Sequence, residues 1–83
     1  MNKIGELERD DVNVTLKRAH ALILFDFLSR SRDEKTLTIQ DQAEQRVLWD
    51  LCCDLERVLD EPLRPNYETL LQTARDSVRD PAE

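Results

Sequence analysis

The stretch DQAEQRVLWDLCCDLERVLDEP, residues 41–62, decides how the rest of the chain is interpreted. Asp41 followed three residues later by Glu44 forms a capping box, a typical helix start. Pro62 disfavours helix at the residue before it. Between these signals, the apolar residues fall within one half of a helical wheel: Ala43, Val47, Leu48, Leu51, Cys52, Leu55, Val58 and Leu59. The pattern predicts a strongly amphipathic helix over 41–61, whose apolar face centres near Leu51 and Leu55.

A first helix is predicted over residues 18–31, and its apolar residues lie all round the helix. A helix that is apolar on every side is normally buried on every side. Since only two other helices are available to cover it, we expect the strand-like segments or a second copy of the chain to complete its cover. The sequence therefore predicts a homodimer formed through the first helix.

A third helix is predicted over residues 67–79, after Asn66, which is a favourable N-cap residue. Its core-facing stripe has the spacing i, i+3, i+4, i+7 and i+11, and consists of Tyr67, Leu70, Leu71, Ala74 and Val78. With one glycine and three prolines in 83 residues, the chain has too few turn-forming residues for a many-stranded fold. The predicted fold class is mainly α.

Two short segments outside the helices alternate apolar and polar residues, as short strands do: VNVTL at 12–16 and TLTI at 36–39. They suggest a small two-stranded ribbon beside the helices. Residues 1–11 are polar and lack periodicity, which predicts a flexible N-terminal arm. We expect residues 12–80 to form one small helical domain.

The net charge of −6 disfavours binding to nucleic acid or to anionic membranes, and it favours a basic protein partner. The longest apolar run, ALILFDFL, has eight residues and contains Asp26, whereas a membrane span needs about 20 apolar residues. The start MNKIGELERDD has no apolar stretch typical of a signal peptide. We therefore expect a cytoplasmic protein with reduced thiols.

The candidate functional residues lie on the second helix, outside its apolar half. Trp49 and Cys53 form an i, i+4 pair there, whereas Cys52 is predicted to lie in the core. Residues 41–61 carry seven acids and two arginines, a net charge of −5. An aromatic anchor among acids suits fast binding of a basic protein, which predicts a partner-binding surface of Trp49, Asp50, Cys53, Glu56 and Asp60. Under the alternative, residues 1–16 or a second copy cover Trp49.

No catalytic or cofactor motif is recognisable, so we expect a protein that is not an enzyme and that carries no cofactor. The single histidine, His20, lies near the start of the first helix. A zinc site formed by His20, Cys52 and Cys53 would need a fourth ligand, and adjacent cysteines on a helix point apart. A small metal-dependent or thiol-dependent protein stays as the second alternative.

The segments AEQRVLWDL at 43–51 and YETLLQTAR at 67–75, with the Pro62 turn between them, resemble a family of small bacterial proteins of unknown function. The resemblance extends over roughly residues 12–80 and implies a one-domain bacterial protein, without supplying an activity. Lys17 departs from the capping residue expected before the first helix. In size and charge alone, the chain is also similar to the immunity proteins that neutralise toxin nucleases.

These observations predict a non-catalytic, acidic protein-interaction protein, of the kind that an immunity protein or antitoxin exemplifies, with a basic partner. The first alternative is a structural homo-oligomer without a heterologous partner.

Overall fold

Three α-helices dominate the computed structural model, which describes residues 10–81. They are α1 (Arg18–Glu34), α2 (Gln42–Val58) and α3 (Tyr67–Val78), with a short 3-10 helix (Glu61–Leu63) between α2 and α3. The predicted mainly α fold is confirmed. No helix within residues 10–81 has both the length and the apolarity needed to cross a membrane.

The second helix is shorter than predicted and ends at Val58 rather than near residue 61. Proline removes the amide hydrogen of a helical hydrogen bond, and its ring clashes with the carbonyl four residues earlier. In a continued helix, the Pro62 ring would meet the carbonyl of Val58. The chain instead leaves the helix at Leu59 and places Pro62 inside the 3-10 helix, where a proline near the start is tolerated.

The predicted capping box at the start of α2 is confirmed. Asp41 Oδ1 accepts a hydrogen bond of 2.8 Å from the Ala43 amide, and Glu44 Oε1 accepts one of 3.4 Å from the Asp41 amide. Asn66 also precedes α3 as predicted, but its side chain makes no capping hydrogen bond; its carbonyl accepts from the Leu70 amide at 3.0 Å. Lys17 likewise provides no side-chain cap for α1.

The suggested ribbon does not form, because neither 12–16 nor 36–39 is a strand in the described part of the chain. An isolated pair of such short strands would be marginally stable. Residues 12–16 are exposed, and residues 36–39 connect α1 to α2. Of the predicted N-terminal arm, residues 1–9 lie outside the described residues, while Asp10 and Asp11 are exposed and outside any helix.

Helix α1 is the central element, since α2 and α3 both pack against it and have few contacts with each other. The buried apolar side chains come from all three helices and the turn after α2: Ala21, Leu22, Leu28, Cys52, Leu55, Leu59, Leu71 and Ala74. Leu71, at 2% exposure, is the most deeply buried of them. The predicted core-facing stripe of α3 is confirmed, because all its residues are buried or half-buried.

The buried face of α2 is narrower than the sequence predicted. Val47 and Val58 are 64% and 67% exposed, and Leu51 is also exposed. The buried face centres on Cys52 and Leu55 rather than on Leu51 and Leu55. The reason is that α2 packs against one helix instead of two, so only half of its apolar arc is covered.

Candidate functional site

A groove of about 520 Å³ lies between the C-terminal half of α1 and the N-terminal half of α2. Its volume is within the range of roughly 300–1,000 Å³ that ligand pockets span. The connection between the two helices contributes Leu37 and Ile39 to its wall. The other apolar lining residues are Leu28, Leu48, Trp49 and Cys52, and the polar ones are Ser31, Arg32, Lys35, Gln42, Gln45 and Arg46.

Trp49, the single tryptophan of the chain, lies at the edge of this groove and is 40% exposed. It lies outside the buried core, as the sequence predicted. The guanidinium carbon of Arg32 is 4.5 Å from the centre of the indole ring, a cation–π contact. Because Arg32 belongs to α1, this contact joins the two walls of the groove.

The two adjacent cysteines have different surroundings, as the sequence predicted. Cys52 is buried and forms part of the groove floor, with its Sγ 3.5 Å from Ser29 Oγ. Cys53, about 100° further round α2, is half-buried. Both are free thiols. The prediction that Cys52 belongs to the core is confirmed.

Four of the five residues of the predicted partner-binding surface lie on α2, and the fifth, Asp60, lies beyond its end. Asp50 forms an ion pair with Arg46 at 3.5 Å, with both side chains exposed. Asp60 lies beyond the end of α2, where it accepts hydrogen bonds from Arg18 and Arg64. Arg18 and Arg32 are 14 residues apart on α1, a distance of about 21 Å along the helix. Trp49 and Asp60 therefore lie near opposite ends of α1, since each contacts one of these arginines, while Glu56 is exposed on α2 between them.

The charged residues that line the groove beside Trp49 are basic, whereas the sequence predicted acids around Trp49. Arg32, Lys35 and Arg46 line the groove, and none of its lining residues in the described part of the chain is a carboxylate. The missed signal is that Arg32 and Lys35 lie at the C-terminal end of α1, Arg32 in its last turn and Lys35 directly after it, where the chain turns towards α2. The acids Asp33 and Glu34 lie between them in sequence but do not line the groove.

A second charged cluster lies at the N-terminal end of α1, and we call it the turn cluster: Arg18, Asp60, Glu61 and Arg64. Arg18 makes two hydrogen bonds to the buried Glu61, one from Nε at 2.6 Å and one from Nη2 at 3.0 Å. The hydrogen bond from Arg18 lowers the pKa of Glu61, and the one from Arg64 lowers the pKa of Asp60. The cluster ties the start of α1 to the turn after α2.

Asp26, the one acid within the apolar run of α1, holds α3 in place. Its Oδ1 accepts a hydrogen bond of 3.1 Å from the Tyr67 hydroxyl, and its Oδ2 accepts from Arg75 at 3.1 Å and from Arg30 at 2.9 Å. Burial, and then the neighbouring Asp26 carboxylate, raise the pKa of Tyr67 to about 12. This contact explains why the run is interrupted by a charge.

The residues of the zinc alternative lie apart. His20 lines a shallow groove on α1 with Phe27 and Val78, whereas Cys52 faces Ser29 and the larger groove. Among residues 10–81, no group of three or more histidines, cysteines or acids is arranged to hold a metal ion.

No family model, curated protein or solved structure matches the chain. The resemblance to a small bacterial family therefore stays a prediction, and the proposal below is based on the groove itself.

Proposed function

We propose that this chain is a non-catalytic protein that binds a partner protein through the groove beside Trp49. One observation carries the proposal: an open apolar groove of about 520 Å³ has the single tryptophan of the chain at its edge. Tryptophan and arginine are enriched among the residues that dominate binding energy, and Trp49 and Arg32 are in contact here. Exposed apolar surface of this kind marks interaction sites.

The chemistry of the groove favours binding over catalysis. Its lining, as far as the structure describes it, has no histidine and no carboxylate, the side chains that most often serve as general bases. The groups that it offers are apolar side chains, three cations, two amides, a buried hydroxyl and the buried Cys52 thiol. Such a set supplies shape and charge for recognition.

More specifically, we propose that the protein is an inhibitor of the immunity or antitoxin kind in a bacterial cytoplasm. The net charge of −6 favours long-range attraction of a basic partner molecule, as does the acidic outer surface of α2, where Asp54 and Glu56 are exposed. A reducing cytoplasm would keep Cys52 and Cys53 as free thiols.

Site-specific photo-crosslinking in the native cells tests the proposal. A photoreactive amino acid replaces Gln45, which lines the groove, and in a matched control it replaces Gln72, which is exposed on α3. We expect a discrete adduct with another protein from position 45 that is absent from position 72 and is lost when Trp49→Ala is added. The same adducts from both positions, or none from position 45, would overturn the proposal.

A homodimer through α1 is the second candidate, because Phe27 on the outer side of α1 is 42% exposed. It lies beside Ile23 and Val78 in a shallow groove of about 290 Å³. Sedimentation of the wild type and of Phe27→Ala over a dilution series tests this candidate, with Leu63→Ala as an exposed control. A dimer formed through α1 should dissociate more readily in Phe27→Ala alone, and a monomeric mass at every concentration would exclude it.

A further inference from the structure

We propose that the segment which enters the groove is an acidic amphipathic helix of the partner protein. This inference rests on the proposed function and names the chemistry of the contact. It differs from what the net charge suggests, because the charged residues that line the groove are basic whereas the chain as a whole is acidic.

Charge complementarity is the first argument. Arg32, Lys35 and Arg46 surround an apolar floor, and no described residue that lines the groove is acidic. A segment seated there brings its own polar side chains within reach of these cations. Charges at short range determine which segment fits, whereas the net charge of −6 acts over longer distances on the whole partner. An acidic segment of a protein that is basic elsewhere is attracted by the groove cations at short range, while the rest of that protein is attracted by the net negative charge of the chain at long range.

The three cations are available to a partner at little cost. Arg32 bonds to Asp33 at 3.2 Å and Arg46 pairs with Asp50 at 3.5 Å, but all four side chains are substantially exposed. Exposed ion pairs of this kind contribute little to stability, so exchanging their partners costs little. Lys35 forms no ion pair with any residue within 10–81.

A helix suits the groove better than an extended segment does. The groove walls are two helices, α1 and α2, whose own backbone groups are already bonded within each helix. An extended segment would leave its amide and carbonyl groups unsatisfied against the apolar floor, which is costly. A helix satisfies its backbone internally and presents only side chains to a groove.

The length of the groove sets the length of the segment. Its α2 wall extends from Gln42 to Cys52, which is about 15 Å along the helix axis. A partner helix of about three turns covers this distance and places apolar residues at i, i+4 and i+7 over Leu28 and Leu48. Acidic residues on the flanks of that stripe then face Arg32, Lys35 and Arg46.

Selection from a random peptide library displayed on phage tests the inference. The full chain is the bait, and Trp49→Ala is the matched bait with an altered groove. We expect the wild type to enrich peptides that combine aspartate or glutamate with large apolar residues at helical spacing, and Trp49→Ala not to enrich them. Enrichment of lysine-rich or arginine-rich peptides, or no enrichment over the variant, would overturn the inference.

The enriched peptide then provides a quantitative test by Trp49 fluorescence, since no other tryptophan contributes. We expect affinity to fall at least about ten-fold when the acids of the peptide are replaced by lysine, or when the chain carries Arg32→Gln with Lys35→Gln. Arg57→Gln with Arg79→Gln removes the same two charges from exposed side chains outside the groove lining, so this charge-matched control should retain affinity within about two-fold. Equal losses in the control would show that net charge decides, and would contradict the inference.

The two proposals fail in different experiments. An adduct at position 45 together with selection of basic peptides would leave the proposed function standing and remove the acidic helix. Selection of acidic peptides without any adduct in cells would overturn the proposed function. The selected helix could then no longer be identified as a segment of a partner protein.

Discussion

The two ends of α1 use arginine in opposite ways. At the N-terminal end, Arg18 is held by Asp60 and Glu61, so the turn cluster closes the fold with charges that satisfy one another. At the C-terminal end, Arg32 lies over Trp49 beside a groove that has cations but no acid among its described lining residues. The same residue type therefore joins two parts of the fold where its partners are a buried glutamate and an aspartate from the turn after α2, and it borders an open groove where its carboxylate partner is an exposed neighbour on the same helix.

The core between α1 and α3 supports both ends, and its loss should have the largest effect. We expect Leu71→Ala to lower the free energy of unfolding by about 2–5 kcal/mol, because it leaves a cavity at the most buried position. Leu63→Ala removes the same atoms from a side chain that is 89% exposed, and should change stability by less than about 0.5 kcal/mol. Urea unfolding followed by circular dichroism measures both, and equal effects would contradict the buried placement of Leu71.

The Asp26–Tyr67 contact in the middle of α1 should appear as a shifted titration. The pKa of Tyr67 is about 12 instead of 10, so the folded state holds this proton more tightly than the unfolded state does. The resulting stability is fully present below about pH 10 and is lost as the pH rises towards 12. Tyr67 is the only tyrosine, so tyrosinate absorbance reports it directly.

An Asp26 variant and the unfolded chain serve as controls for the Tyr67 titration. The titration midpoint should fall to an intermediate value in Asp26→Asn, because burial still raises the pKa of Tyr67 after the charge is gone. In concentrated urea, the midpoint should be near 10 for both proteins. A native midpoint near 10 would mean that Tyr67 does not lie against Asp26.

The turn cluster should make the stability of the fold sensitive to acid, with a smaller change in the free energy of unfolding than Leu71→Ala causes. The pKa values of Asp60 and Glu61 are lowered in the folded state, so these carboxylates stabilise the fold above their ordinary pKa values of about 4. That stability is lost as the pH falls through the lowered pKa values. Urea midpoints measured between neutral and acidic pH should fall less steeply in Arg18→Gln than in the wild type.

The groove end supplies the control for the acid measurement. Arg46→Gln removes an exposed pair with Asp50 and should keep the acid dependence of the wild type. If Arg46→Gln flattened the dependence as much as Arg18→Gln did, the two ends would not differ in the way that the structure indicates.

The features that sequence could predict are those set by local chemistry. The capping box at Asp41 and the apolar spacing of α2 and α3 depend on residues within a few positions of each other, and all are present in the structure. Pro62 was correctly expected to end α2, but the helix stops earlier, because the clash involves the carbonyl of Val58 four residues before it.

The features that sequence could not predict depend on which helices meet. The wheel of α2 gives an apolar half, but it does not show that α1 alone covers it and that Val47 and Val58 stay exposed. The groove likewise brings together Arg32 from α1 and Arg46 from α2, which lie on different helices. An acidic total composition concealed this locally basic surface, because net charge contains no information about position.

At Lys35, a single substitution should change fold stability and binding in opposite directions, and the expected effects are the smallest considered. It follows the end of α1 in the left-handed conformation, with φ of 53° and ψ of 44°, and is the only non-glycine residue with positive φ in the described chain. Glycine adopts this conformation without the steric cost that a side chain incurs, which is about 1 kcal/mol. We expect Lys35→Gly to raise the free energy of unfolding by about 0.5–1 kcal/mol.

The same change removes an ammonium group from the mouth of the groove, so it should weaken binding of an acidic helix while it strengthens the fold. Lys35→Ala separates the two effects, because it loses the charge and keeps the steric cost. Urea unfolding should give a higher free energy of unfolding for Lys35→Gly than for Lys35→Ala. The affinity for the peptide, measured through Trp49 fluorescence, should fall equally in both variants. A loss of affinity in the glycine variant alone would trace binding to the shape of the connection after α1. An equal loss in both variants would trace it to the charge, in which case the fold tolerates a strained lysine at the position where the groove uses its cation.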